Sequence, residues 1–494
     1  MVVIPAVRKR ESSRFQALDA RLKSSGMTDW YEYYFETVKN RKEKHRWRQA
    51  MAQMTRISAA PEDKVPPVRE HPSRLFVELT TKCNLSCGMC VKQNGDGGIA
   101  EGSMSAETFA GLTPAFPHLD ALILNGIGES LIHPRLEEFI RQARKLLPAK
   151  ASVGFQTNGM LLNDSRAVAL VNAGLDLICL SLDAASSDRF RSIRTGGEMS
   201  VVESAFSSLK KAKTPNAGRN LKVGIEFVVM KSNLRELPAA LRWAARQGAT
   251  FALVTQLLPY QRGMSSQAAY DTNTAGAISI YKRWKDRALS EGVDISGYPD
   301  VFMKYSKTPR EQKIVWFVEQ MKGNAHSQGI ALHLERLFSR DEQWFAMVDG
   351  IFEEAQQTAE QEGLDLTLPG TAPRNSRRCE FVEEGGAFVS WNGDVHPCYF
   401  LWHRYNCYVG GWEKQVKPWV FGNPAGLDIL EVWNSTQYRS FRESVRRYHF
   451  PFCFDCGFAL CDYVQAEDFE QDCYIESVPC GACLWCTGLF HCLR

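Results

Sequence analysis

From Leu75 to Leu258 the chain alternates short apolar runs with amphipathic stretches. LFVEL, ALILNG, ASVGFQTNG, LDLICLSLD, LKVGIEFVVM and FALVTQLL have strand length and aliphatic composition. Between them, LEEFIRQARKLL, SRAVALVNAG, VVESAFSSLKKA and LRELPAALRWAARQG carry apolar residues at helical period. Parallel strands need a crossover connection, and a helix supplies it, so this alternation argues a parallel sheet with helices on its faces. The expected fold class is α/β, an open or partial (β/α)6 barrel. In such folds ligands gather at the C-terminal ends of strands. Chemistry is therefore sought in the loops that follow the apolar runs.

The rest of the chain reads differently. Residues 1–70 look helical and polar and end in the linker APEDKVPPVREHP. Within them Lys39 to Arg48, KNRKEKHRWR, has six Lys or Arg and one Glu. That segment reads as a solvated helix face, or as a contact for an acidic partner. Residues 71–262 form the expected core. Residues 263–378 read as a helical insertion or bridge with few strand signals. Residues 379–494 are cysteine-rich, with Gly, Pro and Asn punctuation and little regular pattern.

The chain has 494 residues and a net charge of +3, so no global field points to nucleic acid. The first thirty residues lack an apolar core of signal-peptide length. No run approaches the roughly eighteen apolar residues of a membrane helix. The expected location is the cytoplasm. Fifteen cysteines are many for such a chain, and eleven lie between Cys379 and Cys492. Without a secretion signal, metal or redox use is the natural reading.

Directly after LFVEL comes TTKCNLSCGMC, with Cys83, Cys87 and Cys90 at gaps of three and two residues. Three thiolates at these gaps can hold three corners of a [4Fe–4S] cube and leave one iron open. A closed zinc site wants a fourth ligand. CNLSCGMC after a first strand resembles the radical S-adenosylmethionine (radical SAM) superfamily, whose signature is this spacing. Most members have an aromatic residue before the last cysteine; here it is Met89, as in many peptide- and protein-modifying members. NGIGES, Asn125 to Ser130, resembles the family's glycine–glutamate motif. That resemblance assigns Gly126, Gly128 and Glu129 to binding the methionine amino group of SAM. Asn158 in QTNG, Ser181 in SLD and Arg194 in FRSIRTGG match positions that meet SAM in relatives. Each has a plainer reading as well: a cap for Asn158 or Ser181, a surface charge for Arg194. Cys179 reads as a small buried hydrophobe. The resemblance implies that the open iron chelates SAM. One electron then cleaves the sulfonium, and a 5′-deoxyadenosyl radical abstracts hydrogen from substrate.

The C-terminal region carries a second resemblance. WNGDVHPC, the stretch GNPAGLDILEVWNSTQYRSFR and the pair CFDC are similar to the SPASM domain, an auxiliary iron–sulfur module. It implies one or two auxiliary clusters on Cys379, Cys398, Cys453 and Cys456, with Cys461 and Cys473 as further ligands. Cys461 follows Cys456 after four residues where relatives usually show five. The tail PCGACLWCTGLFHC adds Cys480, Cys483, Cys486 and Cys492 at metal-like gaps. A second cluster, a zinc knuckle and a dithiol compete for it, and a cluster is favoured. SPASM-bearing relatives mostly modify peptides or proteins, and the tail resembles metalloenzyme maturases. The leading expectation is an enzyme that modifies a protein or peptide, as a maturase. The alternatives are a ribosomal-peptide thioether or carbon–carbon bond-forming enzyme, and a non-catalytic iron–sulfur carrier or scaffold. The expected partners are a protein or peptide substrate and a reducing protein such as ferredoxin or flavodoxin. Neither membrane nor nucleic acid is expected.

Overall fold

The computed structural model describes residues 68–93, 99–213, 221–410, 412–425, 428–449, 480–481 and 483–493. Most of the N-terminal extension, with its basic segment, lies outside the described residues. So do Cys453, Cys456, Cys461 and Cys473.

Six strands carry the expected core. They are β1 (Arg74–Val77), β2 (Ala121–Ile123), β3 (Ser152–Thr157), β4 (Leu177–Ser181), β5 (Lys222–Val229) and β6 (Phe251–Gln256). Each pairs in parallel with the next in sequence. A doubly wound sheet would reverse its order at a switch point. This one does not, so its crossovers wind one way, as in a β/α barrel. The helices Leu136–Arg144, Asp164–Ala173, Met199–Ala212 and Leu237–Gln247 fall between the strands and pack side by side in that order. Their ends follow local chemistry. Asn163 caps the helix Asp164–Ala173 by accepting from the Arg166 N–H, and Gly174 closes it at φ +98°. The interior strand β4 is buried on both faces, and Cys179 is wholly enclosed within it.

Among the described residues three further strands extend this six-stranded sheet, to nine. Its order is β7-β6-β5-β4-β3-β2-β1-β8-β9. The segment 263–378 is mainly helical, with long helices Ala275–Ser290, Pro309–Ser327 and Glu342–Glu362. It also carries β7 (Asp365–Thr367), which extends the sheet beyond β6. From the cysteine-rich region, β8 (Gly386–Val389) lies parallel to β1, and β9 (Val395–His396) runs antiparallel to β8. A hairpin, β10 (Tyr405–Val409) with β11 (Trp412–Val416), and the helix Thr436–Arg447 follow. The reading of little regular pattern there is corrected. These strands have two to five residues, too short for periodicity to register. No helix among the described residues is long and apolar enough to cross a membrane.

Candidate functional site

The segment Cys83 to Cys90 has little regular structure of its own, and its neighbours hold it by backbone hydrogen bonds. On one side Gly128 and Glu129 donate N–H to the carbonyls of Thr80 (3.2 Å) and Lys82 (2.8 Å). On the other, Ser86 and Gly88 donate to Thr195 (3.0 Å) and Ile193 (3.3 Å), at the end of the helix Ser187–Ile193. The glycines make this contact feasible. A Cβ on Gly128 would lie 2.2 Å from the Thr80 carbonyl oxygen, and one on Gly126 would lie 2.4 Å from Glu78 Cγ. Both close approaches are to the chain that leads into the cysteines.

Glu78, the last residue before that loop turns away, is wholly buried. Its carboxylate accepts from the Ile127 N–H at 3.0 Å, and His403 Nε2 lies 3.0 Å from its other oxygen. One buried carboxylate thus ties β1, the glycine loop and the C-terminal region together. Burial of such a group is costly unless it is hydrogen-bonded, and here the Ile127 N–H and His403 Nε2 both reach it.

The expected SAM-binding residues gather unevenly. Glu129 is buried and accepts three hydrogen bonds: at Oε1 from the Leu131 N–H (3.0 Å) and the Thr157 hydroxyl (2.7 Å), at Oε2 from the Asn158 N–H (2.7 Å). A carboxylate has about four acceptor positions, and these three contacts fill two at Oε1 and one at Oε2. Burial raises the Glu129 pKa, and those hydrogen bonds and Arg194 oppose it. Asn158 turns to the cysteine loop: its amide donates to Asn84 Oδ1 at 2.9 Å and lies 3.9 Å from Cys83 Sγ. Its own oxygen accepts from the Met160 N–H (2.9 Å), which closes a local turn; the cap of the following helix is Asn163, so the cap reading of Asn158 is corrected. Ser181 ends β4 and pairs in register with Glu226.

Arg194 is no surface charge. It is buried, with Nη2 2.7 Å from Asp183 Oδ2 and Nη1 4.0 Å from Cys87 Sγ. Burial works against its charge, and Asp183 together with Cys87 and Glu226 outweighs that, so its pKa is raised. Burial chiefly, with Cys87 and Cys83 adding, pushes the Cys90 thiol up to about 11. The three thiols therefore lie within one another's field. Among the described residues no group of three or more His, Cys, Asp or Glu side chains closes into a metal cage. The donor set itself fits an iron–sulfur cluster with an open corner: three thiols on one loop, a buried guanidinium beside one sulfur, and an amide beside another.

Sequence reasoning missed Glu78, Asp183 as the partner of Arg194, and Glu226. Glu226, on β5, is pushed up to about 7 by burial, with Arg194 opposing and Asp183 adding. Gln156 hydrogen-bonds to it. The Gln156 side chain also accepts from Asn125, whose oxygen accepts from the Tyr399 hydroxyl at 2.7 Å. A polar chain thus runs from β5 across β3 and the loop after β2 into the C-terminal region. The available signal was a lone carboxylate inside an apolar strand, in LFVEL and in LKVGIEFVVM.

Cys379, Cys398 and the tail cysteines Cys480, Cys483, Cys486 and Cys492 are buried or half-buried, within or against the same apolar core. The tail is fixed by backbone pairing. Gly370, Arg374 and Arg378 donate N–H to the carbonyls of Gly488 (2.8 Å), Thr487 (2.9 Å) and Cys486 (2.9 Å). Gln256, at the end of β6, donates to Leu489 at 3.2 Å. The tail is thus anchored to the C-terminal end of the sheet.

Known proteins resemble this chain in the same two regions. The family described as "Radical SAM superfamily" matches residues 77–244, and SPASM, an "Iron-sulfur cluster-binding domain", matches residues 379–457. The "Tungsten-containing aldehyde ferredoxin oxidoreductase cofactor-modifying protein" of Pyrococcus furiosus is 27% identical over 424 residues, 85% of this chain and 96% of that protein. The pre-heme d1 synthase of Dinoroseobacter shibae is 26% identical over 263 residues, 52% of this chain and 60% of that protein. Among solved structures, Streptococcus suis SuiB bound to precursor peptide SuiA aligns over 94% of this chain and 87% of that one, at 14% identity and a TM-score of 0.45.

Proposed function

Because the chain belongs to the radical SAM superfamily and carries a SPASM domain, we propose that it uses SAM to modify a protein or peptide during maturation of a metalloenzyme. One observation carries the maturation reading. The match to the cofactor-modifying protein runs through 85% of this chain and 96% of that relative, whereas the match to pre-heme d1 synthase covers 52% and 60%. The first likeness therefore extends well beyond a shared core.

Cys83, Cys87 and Cys90 would hold a [4Fe–4S] cluster, which when bound supplies the electron that cleaves the SAM sulfonium. The chain's own residues orient and shield that chemistry. Glu129 offers Oε2 to the SAM ammonium, while its other contacts fix the carboxylate in place. Asn158 steadies the cysteine loop through Asn84. Asp183 keeps Arg194 charged beside Cys87, where a positive charge offsets the thiolates. Ile193, Met230 and Leu257 form a small apolar cluster with Met89, Val228 and Met264 packed on it. That wall keeps water from the end of the cysteine loop, where a reactive carbon radical has to be shielded. A reducing protein of the ferredoxin or flavodoxin type supplies the electrons.

The test is 5′-deoxyadenosine formation by anaerobically reconstituted protein given SAM and a strong reductant. Turnover that rises when host extract is added, and that is absent in Cys87→Ser, supports the reading. No product with intact, reduced clusters, with or without extract, rejects it.

A further inference from the structure

The loop read as the site for the SAM ammonium is gripped from the far end of the chain. Asn125, Gly126, Ile127, Gly128 and Glu129 run on from β2 through Leu124. The Gly128 and Glu129 amides are held by the chain that leads into the cysteines. The start of the loop is held differently. Tyr399 donates its hydroxyl proton to Asn125 Oδ1 at 2.7 Å. His403 Nε2 lies 3.2 and 3.0 Å from the two oxygens of Glu78, and Glu78 Oε1 accepts from the Ile127 N–H at 3.0 Å. Tyr399 and His403 both belong to CYFLWHR, inside the SPASM match. One short segment of the C-terminal region therefore reaches both flanks of Gly126.

Glu78 is wholly enclosed, so every donor it has matters. Ile127 supplies one from the backbone. The Trp391 N–H, also from the C-terminal region, reaches Oε2 at the longer distance of 3.4 Å. His403 supplies the side-chain donor. A carboxylate only accepts, so the proton between the two sits on His403 Nε2. The imidazole is flanked by Trp402 and Phe388, with ring centroids 5.2 and 6.4 Å away. The loop lies directly on the carboxylate, because a Cβ on Gly126 would already meet Glu78. A Glu78 that loses His403 has to seek another donor, and the Ile127 amide loses its fixed acceptor.

We propose that Tyr399 and His403 are positioning residues for SAM. They hold Asn125 and, through Glu78, Ile127, so that Glu129 meets the ammonium in one fixed place. SAM affinity is then set in part from the C-terminal region, by side chains that need not touch SAM. This rests on the reading of the glycine loop as the SAM site.

The experiment separates holding from catalysis. SAM binding and 5′-deoxyadenosine formation are measured on the reconstituted full-length chain under anaerobic conditions. His403→Ala removes a hydrogen bond to a buried carboxylate and is expected to raise Kd and KM for SAM roughly tenfold, with kcat at saturating SAM unchanged. His403→Gln carries an N–H the same number of bonds from Cβ and is expected to recover most of that affinity. Tyr399→Phe keeps the ring and removes one neutral hydrogen bond, so its rise is smaller, roughly three- to fivefold. Unchanged affinity in His403→Ala and Tyr399→Phe overturns the proposal. So does a loss that His403→Gln fails to restore, or one that falls on kcat and spares KM. A second measurement needs neither SAM nor turnover. In the chain without SAM, amide hydrogen exchange at Ile127, Gly128 and Glu129 should be faster in both His403→Ala and Tyr399→Phe than in wild type, with β4 unchanged. Equal exchange at these three amides overturns the proposal. A wild type that binds no SAM counts against the function proposed above, and the exchange result still decides whether the loop is held from the C-terminal region.

Discussion

The two thiol sites of this chain are built by opposite means. The first hangs on strand ends. Cys83, Cys87 and Cys90 lie within eight residues, and four backbone hydrogen bonds from two neighbouring loops hold them. The second leans less on strand ends, with Gln256 at the end of β6 holding the tail at Leu489. Its thiols come from both ends of the last quarter of the chain, joined by backbone pairing between the segment before Cys379 and the tail. A site on strand ends is fixed by the sheet, so its sequence signature is short and local. A site assembled from distant loops is fixed by packing, and its signature is spread out.

The largest expected effect separates the sites outright. Cys87→Ser should abolish 5′-deoxyadenosine formation while auxiliary iron, measured per chain, stays in place. Loss of auxiliary iron as well would mean that the two sites form one cooperative unit, and the contrast above would collapse. Next is Asp183→Asn. Asparagine can keep the oxygen that accepts from the Val228 N–H at 2.8 Å, but its amide NH2 then stands where an oxygen faced Arg194, so the charge and that acceptor are both removed. Arg194 is then left buried without its counter-charge, at a cost of about 3–5 kcal/mol. Thermal unfolding should register this as a clear fall in midpoint, accompanied by weaker SAM cleavage. An unchanged midpoint would show that Cys87 and Glu226 suffice to hold the guanidinium.

That contrast also explains what was legible in advance. The six core strands, the helices between them and the cysteine loop all follow from local spacing. Gly126, Gly128 and Glu129 were singled out by resemblance to a family motif that follows a strand, and the structure sets Gly128 and Glu129 against the chain leading into the cysteine loop. Glu78 and Glu226 were visible as carboxylates inside apolar strands, yet nothing local says what a buried charge meets. The pairing of β1 with β8 joins Arg74 to Gly386, and no periodicity spans that distance. The meeting of Cys379 with the tail is hidden for the same reason.

Gly128→Ala tests whether the first site depends on its backbone cradle. The added Cβ would fall 2.2 Å from the Thr80 carbonyl oxygen and 2.6 Å from that of Lys82. Backbone cannot yield as a flexible side chain can, so the glycine loop has to move off the cysteine loop. The expected destabilisation is about 1–3 kcal/mol, typical of overpacking. Equilibrium SAM binding should weaken, and the auxiliary iron count should not change. A fall in auxiliary iron would mean that strain passes through Glu78 and His403 into the C-terminal region.

The smallest effect is a slope. Glu226 is raised from an ordinary 4.5 to about 7, burial being the main cause. Between those values the folded chain keeps a proton that the unfolded chain has released. Its contribution to stability is therefore complete below about pH 4.5 and is lost as pH rises towards 7, at no more than about 1.4 kcal/mol per pH unit. Glu226→Gln does not titrate and fills the same volume. Against wild type, its unfolding midpoint should gain steadily across that window and level off above it. Glu226 also lies within the field of Cys492. Because of that, the curve reports on the ground between the two sites. A wild type and variant that run parallel with pH would mean that Glu226 is already ionised, with Arg194 as its true partner. The sheet interior would then carry a fixed charge between the two thiol sites in place of a proton.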